Sequence, residues 1–146
     1  MTQQWPDEAI FFRQINPNHF SEDGPTSQAF IPFPKDKGGL SVDDGRLITA
    51  GQSWERATGL CGLNSCGTWG VTKHDIDTAS SLEISADPQY CNDAHCLIVF
   101  PNFEQDGLSK SALKREWKKR AQHLAIRATT RGPLYRPEPD APGNGD

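Results

Sequence analysis

The chain has 146 residues, of which 35% are hydrophobic and 23% charged, and a formal net charge of −4 at pH 7. This is the size of one domain that can bury most of its apolar surface without disulfides. No run of eighteen apolar residues occurs, and the opening MTQQWPDEAI lacks the basic and apolar regions of a secretory signal. We therefore expect a cytoplasmic protein with no membrane contact and with reduced cysteines.

Charge is distributed unevenly along the chain. Residues 1–100 contain six Lys and Arg against thirteen Asp and Glu, whereas residues 108–136 contain nine Lys and Arg and a single acid, Glu116. Such a concentration of positive charge favours an anionic partner, or else a basic helix that is solvated on the outside of an acidic body.

The first part of the chain contains two predicted strands and one predicted helix. AIFFRQI (residues 9–15) is dense in β-branched and aromatic residues and predicts a strand. QAFIPFP (28–34) contains prolines that favour an extended edge segment, and LSV (40–42) predicts a second strand. LITAGQSWERAT (47–58) predicts a helix with Thr49 as its N-cap.

Three further strands are predicted in the second part, at TWGVT (68–72), LEISA (82–86) and CLIVF (96–100). The continuous apolar run of CLIVF is typical of an inner strand buried on both faces. Between the first two of these strands, KHDIDTAS (73–80) favours a helical turn with its cap near Thr72.

The longest predicted element is a helix over residues 109–129, with Ser109 as its N-cap. Apolar side chains recur on one face of it at helical spacing, and we call them the apolar stripe: Leu113, Trp117, Ala121, Leu124, Ala125 and Ala128. The tail, residues 137–146, is rich in proline and glycine and predicts disorder. The expected fold is one α+β domain over residues 1–136, with a mixed β-sheet of about five or six strands covered on one face by two or three helices, among them a long amphipathic C-terminal helix.

Two pairs of cysteines with the same spacing form the first candidate site: Cys61 and Cys66 in CGLNSC, Cys91 and Cys96 in CNDAHC. Four cysteines can hold one zinc ion, with His74 and His95 as substitute ligands. Common zinc hooks, however, have two intervening residues rather than four, and Cys96 begins an apolar strand in which a free cysteine is an ordinary core residue. We expect reduced, metal-free thiols and keep the four-cysteine zinc site as the alternative.

His95 and Arg13 are candidates for a polar pocket. His95 directly precedes the CLIVF strand, where side chains often line a pocket at a sheet edge. Alternatively it bonds to a loop carbonyl, or serves Cys91 as a base if the intervening turn folds back. Arg13 lies inside an apolar strand, where a charge is unusual, and a salt bridge at the edge of the core would be the simplest explanation.

The order of Arg13, then Ser41, then Glu55 or Glu104 resembles the arginine–serine–glutamate succession of ADP-ribosyltransferase folds. The resemblance implies that Arg13 and Ser41 hold NAD and that the glutamate aids the transfer. The three residues have no flanking motif. No GxGxxG, Walker, GxSxG or HExxH motif occurs in the sequence, so the common nucleotide-binding, lipase and protease classes lack support.

The predicted C-terminal helix carries a candidate binding surface. Five basic residues point away from the apolar stripe, and we call them the basic face: Lys110, Lys114, Arg115, Lys118 and Lys119. Such side chains can neutralise phosphates, with release of counterions. A run of charge is also typical of a helix face that is simply solvated.

The layout of the chain also resembles a family of small uncharacterised bacterial proteins. The resemblance is carried by RQI (13–15), GPTSQAF (24–30), LSV (40–42), WGVT (69–72), residues 87–95 and LYRP (134–137). It implies a bacterial protein, but no activity, cofactor or residue role. The four cysteines are not among the features on which this resemblance depends.

These observations predict a small cytoplasmic bacterial accessory or interaction protein, without a cofactor, whose basic face contacts nucleic acid or an acidic protein. The alternative is a small enzyme with a nucleotide- or NAD-binding pocket around Arg13, Ser41 and His95, with Glu104 as a further candidate. The structure can distinguish the two hypotheses, because an enzyme should bring the first three residues together in one concave pocket.

Overall fold

The strands and helices are short, apart from the last helix. The computed structural model describes residues 5–32, 38–101, 107 and 109–137. Its strands are β1 (Ile10–Gln14), β2 (Phe20–Ser21), β3 (Gly24–Pro25), β4 (Gly39–Asp44), β5 (Thr68–Thr72), β6 (Glu83–Ala86) and β7 (His95–Val99). Its helices are α1 (Ala50–Glu55), α2 (Lys73–Thr78) and α3 (Lys110–Arg131), with 3₁₀ turns at Pro17–His19 and Ser27–Phe30 and a π-helical turn at Arg56–Leu60.

Five of the strands form one sheet in the order β5-β1-β4-β7-β6, and β2 pairs with β3 separately. The α+β class with a long C-terminal helix is confirmed. The sheet, expected to be mixed, is antiparallel in all of its described pairings. Parallel neighbours need a crossover that returns the chain to the same end of the sheet. Here the connections that contain α1 and α2 join strands that are not neighbours.

The helix α3 covers one face of the sheet, which we call the main face. Ser109 caps it as predicted, because its side chain accepts a hydrogen bond from the backbone N–H of Ala112. Every residue of the apolar stripe is buried. The stripe packs against alternate strand residues, among them Phe11, Val42 and Cys96, in the principal hydrophobic core. The prediction of an amphipathic helix is therefore confirmed, and α3 extends two residues beyond the predicted end.

The opposite face, which we call the second face, is partly covered by α1. Thr49 caps α1 in a capping box, as the sequence predicted. Phe12 on this face packs with Ile48 and Ala94 in a small separate cluster. Helices therefore lie on both faces of the sheet, and the second face has little apolar cover beyond Phe12.

The segment 28–34 differs from its expected extended form, because Ser27–Phe30 is a 3₁₀ turn. Its residues Ala29 and Phe30 are both buried in the principal core. An extended chain would send two successive side chains to opposite sides, whereas a helical turn lets both enter the core beneath α3. Residues 33 and 34 lie outside the described residues.

The remaining elements lie close to where the sequence predicts them. Thr72 caps α2, and β7 is an inner strand between β4 and β6. Leu97 and Val99 of β7 are only half-buried, because they point to the second face. Residues 138–146 of the predicted tail, and Glu104, lie outside the part of the chain that the structure describes.

Trp117 should contribute strongly to stability. It is 8% exposed, packs edge-on against Phe100 at 5.9 Å, and donates a hydrogen bond from Nε1 to the carbonyl of Pro101 at 2.7 Å. We expect Trp117→Ala to lower the free energy of unfolding by roughly 3–5 kcal/mol in urea denaturation. The matched control Lys118→Ala, at an exposed neighbouring position, should change it by less than about 0.5 kcal/mol. Equal effects of the two substitutions would contradict the assigned packing of α3.

Candidate functional site

A cavity of about 220 Å³ lies between the second face of the sheet and the C-terminal end of α1. Its walls include Arg13, Ser41 and His95, the three residues that the sequence proposed as one polar pocket. Of the two glutamates proposed with them, Glu55 is exposed and does not line the cavity, and Glu104 lies outside the described residues. All three residues line this cavity, but they reach it from different sides: Ser41 and His95 lie on the second face, whereas Arg13 alternates with Phe12 and shares the main face with Phe11.

Arg13 lies where β1 and β4 separate. The two strands pair Phe11 with Asp44 and Phe12 with Asp43. Beyond Phe12, the guanidinium of Arg13 donates from Nη1 to the carbonyl oxygen of Ser41 at 2.9 Å, and from Nε to that of Ala29 at 2.9 Å. Two backbone carbonyls are thus among the partners of this charge, and the salt bridge proposed from the sequence stays a prediction. Arg13 is one of the residues that line the cavity.

His95 is held by Asp87 at the other side of the cavity. Its Nδ1 atom lies 3.0 Å from the backbone carbonyl of Asp87 and 3.0 Å from a carboxylate oxygen of the same residue. Both oxygens are acceptors, so in the neutral imidazole the proton lies on Nδ1 and Nε2 has the lone pair. The imidazole is buried and lines the cavity. The loop carbonyl considered in the sequence is present, and the carboxylate adds the partner that a general base uses for its orientation.

The strand register places Ser41 close to His95. Asp43 lies opposite His95, and Ser41 lies opposite Leu97. Since side chains two residues apart in a strand share a face, Ser41, Asp43 and His95 all belong to the second face. Ser41 is the diagonal neighbour of His95, and such pairs are within reach of side-chain interaction. Its side chain is exposed, so a ligand in the cavity can reach the hydroxyl.

A chain of hydrogen bonds fixes the floor of the cavity. The amide of Gln14 donates to Ser53 Oγ at 2.9 Å, and Ser53 Oγ donates to Asp43 at 2.7 Å. Asn92 Nδ2 donates to the other carboxylate oxygen of Asp43 at 3.0 Å, and Arg56 donates to Asn92 Oδ1. These bonds connect β1, α1, β4 and the loop before β7. The polar groups are therefore held in place before any ligand arrives.

Several of these residues were not proposed from the sequence. Asp43 could have been proposed, because the alternation of faces in LSVDD places it on the same face as Ser41. Asp87 and Asn92 lie in the loop between β6 and β7, where the chain folds back through a Gln89–Asn92 bridge. No local pattern predicts that fold-back.

The four cysteines lie in different environments. Cys61 and Cys91 are exposed, Cys66 is half-buried, and Cys96 is buried in the core. Burial raises the pKa of Cys66, and that of Cys96 to about 12. Cys61 lines the cavity, whereas Cys91 does not. Within the described ranges, no group of three or more histidine, cysteine or acidic side chains is arranged to hold a metal ion.

The basic face is exposed along its whole length, as the sequence predicted. Lys119 pairs with Glu116 at 3.1 Å, and hydrogen bonds from Lys119 and Arg120 lower the pKa of Glu116. The other four members of the face are exposed at the helix surface: Lys110, Lys114, Arg115 and Lys118.

The later arginines of the positive segment have structural contacts instead. Arg120 is buried and donates to the carbonyl of Ser80 at 2.8 Å. Arg131 pairs with the buried Asp75 at 2.9 Å, and Arg136 stacks over Phe20 at 5.1 Å. Burial alone would raise the pKa of Asp75, but hydrogen bonds from the Thr72 backbone and from Arg131 outweigh it and lower the pKa. Arg127 and Arg131 are exposed as well, but both pair with Asp75.

Comparison with known proteins identifies no relative. No family model matches the chain, and no curated protein or solved structure matches it either. Among the described residues, no helix combines the length and the hydrophobicity needed to cross a membrane. Any functional assignment therefore depends on the geometry of the site.

The thiols should react in an order set by burial. We expect Cys61 and Cys91 to react quickly with a thiol reagent in the native protein, Cys66 slowly, and Cys96 only after unfolding, since the thiolate is the reactive form. Mass spectrometry of the labelled peptides gives the order, and Cys96→Ser should leave the fast phase unchanged. Native mass spectrometry should show the metal-free mass. One stoichiometric zinc ion that survives gel filtration would overturn the prediction of free thiols.

Proposed function

We propose that the protein is a small enzyme that binds a polar ligand in the cavity, with His95 as its general base. The observation that carries this proposal is that His95, oriented at Nδ1 by Asp87, lines the same cavity as Arg13 and Ser41. The sequence favoured a binding module, for which we expected these residues to be scattered and the basic face to be contiguous, and it gave a shared concave pocket as the mark of an enzyme. The shared cavity supports the enzyme, and the exposed basic face supports the second candidate below.

The chemistry follows from the protonation of the imidazole. Nε2 of His95 takes a proton from an O–H group, either of the ligand, of water or of Ser41, and Asp87 stabilises the resulting imidazolium. Arg13 and Arg56 are among the residues that line the cavity, and their positive charge favours a ligand that carries or develops negative charge. A nucleotide fits this description, and NAD is the form that the resemblance to ADP-ribosyltransferases implies.

Nucleotide binding should depend on His95. We expect one of NAD, ADP-ribose or AMP to raise the melting temperature of the wild-type protein, and His95→Ala to abolish that shift while the protein still folds, because linkage stabilises only the state that binds. The control His74→Ala changes an exposed histidine outside the cavity and should keep the shift. The proposal fails if none of the three nucleotides shifts the wild type, or if His95→Ala retains the full shift.

A second candidate function is binding of an anionic partner by the basic face, in a small cytoplasmic bacterial accessory protein. The observation that favours it is the continuous exposure of the basic face on one helix. Lysine and arginine side chains in such an array supply phosphate contacts, or contacts to an acidic protein, without loss of packing.

Charge reversal should separate this binding from stability. We expect Lys110→Glu, Lys114→Glu and Lys118→Glu together to abolish binding of DNA or RNA, while the melting temperature stays nearly unchanged, because exposed charges contribute little to folding. Wild-type affinity, measured by fluorescence anisotropy, should also fall steeply as salt rises. Absence of binding to DNA, RNA or an acidic protein at low salt would leave the basic face as a solvated surface.

A further inference from the structure

Two serines lie beside Leu97 of β7, one in each neighbouring strand. Ser41 of β4 and Ser85 of β6 both lie opposite Leu97, so both belong to the second face together with His95. Both serines are exposed. Because His95 is two residues before Leu97, each serine is a diagonal neighbour of His95, at a separation that an aromatic side chain can span. The strand register alone does not distinguish the two serines.

The orientation of the His95 ring distinguishes them. Its Nδ1 atom faces the carbonyl and the carboxylate of Asp87, and Asp87 directly follows β6. The protonated edge of the ring is therefore turned towards β6. The two nitrogens of an imidazole point in widely different directions, so Nε2 and its lone pair face the β4 side of β7, where Ser41 lies.

The cavity gives an independent reason to choose Ser41. Ser41 and His95 both line it, whereas Ser85 is not among its described wall residues, and the hydroxyl of Ser85 turns to a backbone carbonyl at 3.4 Å. Ser53 also lines the cavity, but it is buried, and its hydroxyl donates to Asp43 at 2.7 Å. Ser41 thus combines an exposed hydroxyl with a position in the cavity and on the side of β7 that Nε2 of His95 faces.

We propose that Ser41 is a nucleophile, activated by His95 and oriented through Asp87, and that the protein transfers the acyl group of an ester. This proposal rests on the proposed function of His95 as general base, and it adds the reaction class. A serine, a histidine and a carboxylate perform acyl transfer in these roles on unrelated folds. Ser41 and His95 do not hydrogen bond to each other in the described structure, and such contacts often tighten only when a ligand is bound.

The reaction has two steps, and the proton returns to solvent products in each. In the first, Ser41 Oγ attacks the carbonyl carbon of the ester while Nε2 of His95 takes the hydroxyl proton. The bond from that carbon to the alcohol oxygen then breaks, and the imidazolium gives its proton to this oxygen. In the second, His95 takes a proton from water, which attacks the acyl-serine and releases the carboxylic acid and Ser41.

The other walls of the cavity suit the same chemistry. Arg56 lines the cavity, and its positive charge favours the negative charge that develops on the carbonyl oxygen in both steps. An ester whose alcohol part is a nucleotide combines this reaction with the anionic ligand of the proposed function.

A fluorophosphonate probe tests the nucleophile directly, because an activated serine hydroxyl displaces its fluoride and keeps the phosphonyl group. Mass spectrometry of the peptides should find the label on Ser41 in the native wild type and no label after unfolding in urea. Ser41→Ala should abolish labelling. The matched control Ser85→Ala, which removes the hydroxyl on the other side of Leu97, should keep the wild-type rate.

The base is tested by the rate of the same labelling. His95→Ala should slow it about a hundredfold or more, since a general base contributes on that order. Asp87→Asn keeps the size of the side chain and should slow labelling as well, and it replaces His95→Ala if that variant does not fold. Melting curves show which variants are folded.

The remaining outcomes overturn the proposal. A wild type without label, or a Ser41→Ala variant labelled as fast as the wild type, shows that Ser41 is not the nucleophile. Equal losses in Ser41→Ala and Ser85→Ala contradict the assigned side of the His95 ring. An unchanged rate in a folded His95→Ala shows that His95 does not activate the hydroxyl. In each case the proposed function is still decided by the nucleotide-dependent melting shift, which requires no reaction at Ser41.

Discussion

The separation of β1 from β4 at Arg13 is the constraint on which the site depends. The described pairs of these strands end at Phe12 and Asp43, and Arg13 follows directly at the wall of the cavity. The guanidinium spans the opening and bonds to the carbonyls of Ser41 and Ala29. A charge among strands is costly unless such bonds satisfy it. Arg13 thus bonds to the backbone of Ser41 in β4 beside the cavity that both residues line.

The two faces of the sheet have different tasks. The main face buries the apolar stripe of α3 against Phe11, Val42 and Cys96, and this burial supplies most of the hydrophobic stabilisation. Contacts of Arg120 with Ser80 and of Arg131 with Asp75 attach α3 to the rest of the domain. Because the core on the main face stabilises the domain, the second face can contain polar residues that would be unfavourable in an apolar core.

Local features of the fold were predictable from the sequence, and long-range ones were not. The caps Thr49, Thr72 and Ser109 and the stripe of α3 depend on residues within a few positions of each other, so their patterns are visible in the chain. The 3₁₀ turn Ser27–Phe30 depends on packing beneath α3, and the antiparallel order depends on which strands become neighbours. Neither feature produces a pattern that is visible among neighbouring residues of the sequence.

In the candidate site, too, local features were predictable from the sequence and long-range contacts were not. Arg13 and His95 were recognisable as unusual residues in or beside apolar strands, and Ser41 came from a resemblance. Asp87 reaches His95 only because the loop before β7 folds back, and the Asp43–Ser53 bond requires α1 to lie over the second face. The sequence could therefore propose Arg13, Ser41 and His95 of the cavity walls, but not Asp43, Asn92 or the hydrogen bonds that orient these groups.

The tautomer of His95 tests the central claim most directly. In ¹⁵N-resolved NMR of the imidazole at neutral pH, the neutral ring should carry its proton on Nδ1, because both oxygens that face this atom belong to Asp87 and accept hydrogen bonds. Asp87→Asn should disturb this preference. A neutral His95 with its proton on Nε2 and a free lone pair on Nδ1 would contradict the account, since no base would then face the cavity.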